Sequence, residues 1–140
     1  MRAAPVWQAP VAHACITSPF GPRRWIGPHA PAAIHNGIDL RAPAGGAVLA
    51  IADGQVLAVT RRGAAGLSVT IRHGDITALY AHLGRLTPAL AQGQSRVAAG
   101  EHIGVVGRTG VTYGTHLYLE LRQNGHPIDP APLLGVIPCG

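Results

Sequence analysis

The chain has no lysine, one phenylalanine, one methionine, two tryptophans and three tyrosines. Each scarcity excludes something. Few aromatics beside many glycines and prolines disfavour long helices and favour short strands joined by tight turns. No apolar run approaches the roughly 20 residues that a membrane helix needs, so no membrane span is expected. No stretch keeps a 3.6-residue period, which excludes a helical bundle. No run of arginines is interleaved with aromatics, so nucleic acid is not an expected partner. Met1 to Pro10 is interrupted by Pro5, Gln8 and Pro10 and lacks the apolar core of a signal peptide. That leaves a mature fragment, a cytoplasmic protein, or a chain exported without a cleaved signal, such as a phage structural protein. The missing lysine beside eleven arginines points to the base composition of the coding DNA and says little about function.

What is present suits one β-rich domain. The 140 residues are 47% hydrophobic, with 19 glycines and 12 prolines. That is long enough for one core and rich in turn formers, as expected of many short strands. Residues 1–15 read as an N-terminal arm or linker, and residues 16–140 as one domain. The net charge of +5 suits an anionic wall polymer, a membrane surface or nucleic acid. Cys15 and Cys139 are either two free thiols or a disulfide joining the termini. An unstrained bond over so long a loop would contribute about 4–5 kcal/mol and imply an oxidising compartment.

Strand patterns follow one another from residue 47. Ala47 to Ala52 and Gln55 to Thr60 flank Asp53-Gly54, a strong hairpin signal. Leu67 to Arg72, Ile76 to Leu83, Glu101 to Gly107 and His116 to Arg122 come next. Residues 84–99 are looser. The expected architecture is mainly β: an antiparallel β-sandwich or flattened barrel with little helix. Alternation puts His116, Tyr118, Glu120 and Arg122 on one face and Leu117, Leu119 and Leu121 in the core. It likewise places Ile76, Ala78, Tyr80 and His82 on a shared face, so His82 and His116 can meet in one groove if their strands pair.

The chemistry-bearing residues are His35 and Asp39, four apart with Gly37 between, then His82, His116 and Glu120. A hydrolytic zinc site needs about three nitrogen or oxygen ligands and an open position for water. The metal lowers the pKa of that water, and a nearby His or Glu handles protons. Tyr80 is expected to pack. His13, His29, His73, His102 and His126 are expected in loops or solvent.

Several segments in order carry a family resemblance: Ile16-Thr17-Ser18-Pro19-Phe20-Gly21, His35-x-Gly37-x-Asp39, Ala52-Asp53-Gly54-x-Val56, Tyr80-Ala81-His82-Leu83, Gly100-x-x-Ile103-Gly104-x-x-Gly107-x-Thr109-Gly110 and His116-Leu117-Tyr118-Leu119-Glu120. The chain resembles the lysostaphin-type zinc endopeptidases, or LytM domains, over about residues 16–134. The resemblance implies zinc, held by His35 and Asp39, with catalytic roles for His82 and His116. It implies peptidoglycan as substrate, cut at cross-bridge or stem peptide bonds by a zinc-activated water. Glu120 would be a supporting partner, to an arginine or to a site histidine. A cell-wall-facing, periplasmic or extracellular, location is implied, or a virion-associated one, with other proteins of an envelope or virion assembly as further partners.

One position departs from the family. Its third zinc ligand is the second histidine of a His-x-His pair, and here that residue is Tyr118. A phenol oxygen reaches roughly 2 Å further from the backbone than an imidazole Nε2. Tyr118 is thus a substitute ligand or a plug, and His116 could instead shift to become the third ligand. The readings left open are an endopeptidase with an altered site, an impaired domain that binds peptidoglycan or a partner, and a structural module of a phage tail tip.

Overall fold

A computed structural model describes residues 7–23, 33–108 and 115–140. Short strands and two helical turns succeed one another along it. The strands are β1 (Ile16–Ser18), β2 (Gly21–Arg23), β3 (Ala33–His35), β4 (Ile38–Arg41), β5 (Ala47–Leu49), β6 (Gly54–Thr60), β7 (Leu67–His73) and β8 (Ile76–Leu86). After the turn α1 (Pro88–Ala91) come β9 (Arg96–Val97), β10 (His102–Val106), β11 (His116–Gln123), β12 (His126–Ile128) and the turn α2 (Pro130–Leu134). The expected mainly antiparallel β architecture is what is observed. The main sheet runs β1-β4-β11-β8-β7-β6-β9, β12 extends β11, and β10 joins β8 to β5. β2 and β3 form a separate ribbon. His29 and residues 109–114, which include Thr109 and Gly110, lie outside the described residues.

The core is the set of inward alternations. Ile38 and Leu40 of β4, Val69 and Ile71 of β7, Ala78 and Tyr80 of β8, and Leu117, Leu119 and Leu121 of β11 are fully buried. Burying one such aliphatic side chain contributes about 1.5–3 kcal/mol. Residues 7–14 do not behave as a free linker. Val11 is buried, the Gln8 amide donates to the Ile51 carbonyl, and the Leu49 amide donates to Pro10. The segment docks as irregular backbone with a turn at residues 12–13, which is why it shows no periodicity.

The hairpin expected at Asp53-Gly54 is absent. β5 pairs with β10, and β6 pairs with β7 and β9. Asp53 and Gly54 instead carry the chain between two parts of the fold. A Cβ at Gly54 would lie 2.6 Å from Ile71 Cγ2 and 2.7 Å from His73 Nδ1, so only glycine fits. The Asp53 carboxylate accepts from the Ala99 amide at 2.8 Å, which uses the turn-forming side chain elsewhere.

His73 is also not a solvent histidine: its relative exposure is 3%. Its Nδ1–H donates to the Asp53 carbonyl at 3.0 Å, and its Nε2 accepts from the Tyr80 hydroxyl at 2.8 Å. Tyr80 in turn accepts from the Ile51 amide. Burial lowers the His73 pKa from 6.5 despite the opposing pull of Asp53. Burial raises that of Tyr80. The proton order along this chain is thereby fixed.

A disulfide joins Cys15 to Cys139, with Cα atoms 4.8 Å apart. The two termini meet there: the Ile16 amide donates to the Ile137 carbonyl, and the Cys139 amide to Ile16.

Candidate active site

Asp39, on β4, lies directly across from Tyr118 on β11, and Arg41 lies across from His116. Because β11 alternates without interruption, the buried leucines fix where the other face points. Asp39, His116, Tyr118 and Glu120 therefore share the face opposite the core. Asp39 is 2% exposed. Its Oδ1 stands 3.1 Å from His116 Nε2 and 3.7 Å from His35 Nε2.

His35 ends the ribbon strand β3 and is buried. Its Nδ1 is 2.9 Å from the Pro19 carbonyl oxygen and 3.4 Å from Ser18 Oγ. A carbonyl only accepts, so Nδ1 carries a proton. Nε2 is the nitrogen left to face the Asp39 carboxylate oxygen. Such a pairing suits a cation between the two. Fixing one imidazole nitrogen so that the other can ligate is the usual support of a metal-binding histidine. Gly37, between the two residues, is required by space. A Cβ there would collide with the Leu119 carbonyl oxygen and lie 2.8 Å from Tyr118 Cζ.

His82 reaches the site by a different route. Regular pairing would put it opposite Leu117, on the core side, as it puts Tyr80 opposite Leu119. The shared face expected for Tyr80 and His82 is thus not kept: Tyr80 is core. Between Tyr80 and Leu83, β8 takes three steps while β7 takes two from Val69 to Leu67. His82 sits in this bulge with φ +61°, in the left-handed region. An extra residue in that conformation re-aims the side chain. The imidazole then lies with its centroid 5.7 Å from that of His116 and 6.1 Å from that of Tyr118. β8 changes partner here, from β11 to β10. No period-2 pattern could have revealed that.

Tyr118 packs its ring 5.5 Å from His35, centroid to centroid. Its hydroxyl donates to Glu120 Oε1 at 2.8 Å, while Arg122 Nε donates to Glu120 Oε2 at 2.6 Å. Burial and then the Glu120 carboxylate raise the phenol pKa well above its ordinary value of 10.0. The phenol is neutral, and its proton is directed at Glu120. The expected arginine partner of Glu120 is Arg122.

Zinc sites are made of the donor types assembled here, imidazole nitrogen and carboxylate oxygen. Two ligands of one tetrahedral zinc lie about 3.3–3.5 Å apart, given bonds of about 2.0–2.2 Å. The two Asp39 distances bracket that spacing. Among the described residues no group of three or more His, Cys, Asp and Glu forms a ready cage. What stands together is Asp39 with one imidazole on each side. His35 and His116 each bring an imidazole nitrogen to Asp39 Oδ1, donor types that suit zinc, and the hydroxyl of Tyr118 is turned to Glu120.

The family model "Peptidase family M23" matches residues 33–130. A DD-carboxypeptidase/endopeptidase, Mpg, of Neisseria meningitidis serogroup B is 43% identical over 122 residues, covering 86% of this chain and 27% of that protein. The murein hydrolase activator EnvC of Escherichia coli is 38% identical over 101 residues, 71% of this chain and 23% of that protein. A zinc-containing peptidase from Vibrio cholerae superposes with TM-score 0.75 at 29% identity, over 89% of this chain and 39% of that one. The fold and the family match thus define an M23-type, LytM-like domain. This chain belongs to peptidase family M23, and it spans about a quarter of the length of the curated relatives described.

Proposed function

We propose that this domain is a peptidoglycan-directed metallopeptidase that hydrolyses peptide bonds of wall cross-bridges or stems. The observation that carries the reading is the convergence of His35 Nε2, Asp39 Oδ1 and His116 Nε2, with His35 held in the ligating tautomer by Pro19. Family membership and a zinc-containing structural relative support zinc as the cofactor. His35, Asp39 and His116 would hold it, and Tyr118 would not. Bound zinc would supply Lewis-acid polarisation of the scissile carbonyl and a water acidic enough to attack near neutral pH.

The chain's own residues do the rest. His82 stands beside His116 and would hold or pass a proton at a ring nitrogen. Glu120, braced by Arg122, holds the Tyr118 hydroxyl while the ring packs beside His35. Gly37 leaves room for that ring, which is tilted 44° to His35. The net charge of +5 favours an anionic wall polymer. The disulfide supports an oxidising, cell-wall-facing location.

A second reading is favoured by Tyr118 itself, together with the absence of a ready three-ligand cage among the described residues. In it the domain binds peptidoglycan or a partner protein without cutting. The similarity to a murein hydrolase activator fits that reading.

Zinc content of protein purified without chelator, together with peptide release from purified peptidoglycan, separates the two. About one zinc per chain with chelator-sensitive cleavage supports the peptidase. Binding to peptidoglycan with neither zinc nor cleavage supports the second reading and overturns the first.

A further inference from the structure

We infer that the end of β1, residues Ser18 and Pro19, is the positioning element of His35, and that the Cys15–Cys139 disulfide makes this positioning depend on oxidation. The inference rests on the proposed zinc site for its consequence, though not for its geometry.

β1 is three residues long and lies at the edge of the sheet. So short an edge strand has little hold of its own. Its lateral support is β4, through the pairs Ile16–Leu40 and Ser18–Asp39 with an irregularity between them. Thr17 Oγ1 adds a 3.3 Å bond to the Asp39 carbonyl. Further support comes from the buried Ile16 side chain, from residues 7–14 docked ahead of Cys15, and from the C-terminal segment, through two backbone bonds between Ile16 and Ile137 and Cys139. In that segment Val136 is buried while Ile137 is 71% exposed. The disulfide is what ties the two ends together, and the Arg41 amide donates to the Cys15 carbonyl beside it.

Three residues separate Cys15 from Ser18 and Pro19 at most, and those two contact His35 Nδ1. Opening the disulfide removes the covalent tie between β1 and the C-terminal segment and leaves their backbone bonds to hold them. The Pro19 carbonyl then no longer dictates which ring nitrogen of His35 carries the proton. Loss of such a supporting partner typically lowers metal affinity 10–100-fold.

The test uses the full chain, metal-free and ¹⁵N-labelled. One sample keeps the disulfide. In the other a phosphine with one water reduces it to two thiols, the water supplying both thiol protons and the oxygen of the phosphine oxide. Ring ¹⁵N shifts of His35 report its tautomer, and chelator competition reports zinc affinity. The expected result is a pure Nδ1–H tautomer in the oxidised protein. Reduction should give a mixture of tautomers and about 10–100-fold weaker zinc binding, with the Leu119 and Tyr80 amide signals unchanged. An Nε2–H tautomer in the oxidised protein, or an affinity that stays within about twofold, overturns the inference.

If reduction unfolds the chain, Pro19→Gly with the disulfide intact loosens the same carbonyl. A mixed tautomer is expected there, and an unchanged one overturns the inference. Failure of the oxidised wild type to bind zinc at all would sink the proposed function instead. The tautomer of the metal-free protein still decides this inference in that case.

Discussion

β11 and β8 lie side by side and contribute a histidine each to the same groove, by opposite means. β11 is regular. Its leucines go inward and its polar residues outward for eight residues, and His116 follows from the pattern alone. β8 begins equally regularly, with Ile76, Ala78 and Tyr80 inward, and then breaks at a bulge. His82 enters the site because the pattern fails there. A non-glycine residue at φ +61° costs about 1–2 kcal/mol, and such strain tends to collect at functional sites. The pairing suggests a division of labour: one strand supplies stability and placement together, and the other gives up some stability for placement.

That contrast can be broken at β8 first. His82→Gly should reduce peptidoglycan hydrolysis about 10²–10⁴-fold, as loss of a proton-handling group does. The same change should raise unfolding free energy by about 1 kcal/mol, because glycine takes the left-handed conformation freely. Urea unfolding and peptide-release rates, measured together, check both halves. A destabilised variant would mean the bulge is held by the imidazole and carries no strain.

At β11 the expectation reverses. Leu119→Ala removes a fully buried side chain and should cost about 2–5 kcal/mol by urea unfolding. A loss below about 1 kcal/mol would show that β11 is not the rigid partner. A milder test concerns the buried pair behind β8. The folded pKa of His73 lies below its ordinary 6.5, so the unfolded state binds more protons below that pH. Wild-type stability should then fall as pH drops below about 6.5. His73→Gln, less stable at neutral pH, should show a flatter profile. An equally steep decline in the variant would remove His73 from the account. The smallest effect is expected at the surface of β11: Arg122→Ala should cost about 0–1 kcal/mol, since the ion pair with Glu120 is partly exposed.

The regular parts of this fold were legible because a period of two is a direct record of which side is wet. Leu117, Leu119 and Leu121, and the faces of His116, Tyr118 and Glu120, were read that way. His35 and Asp39 stood out as donor residues four apart around Gly37, whose need the close approach of Tyr118 explains, but their metal role came from the family resemblance. Three features were not legible, each for a physical reason. The bulge at His82 arises where β8 changes partners, which is a property of topology and not of local sequence. The Asp53-Gly54 turn has the composition of a hairpin, but its glycine is demanded by packing against Ile71 and His73. His73 looked like a loop histidine because its partners, Tyr80 and the Asp53 carbonyl, are assembled only by the fold. The disulfide was one of two open alternatives, since only the meeting of the termini decides between them.

The central claim is that zinc is held by His35, Asp39 and His116 while Tyr118 is engaged by Glu120. Zinc affinity by chelator competition, compared between Tyr118→Phe and His116→Ala, tests it most directly. The account predicts that Tyr118→Phe stays within about twofold of wild type and that His116→Ala loses at least about 10-fold, as expected for a removed ligand. Tyr118→Phe losing the metal while His116→Ala retains it would contradict the account.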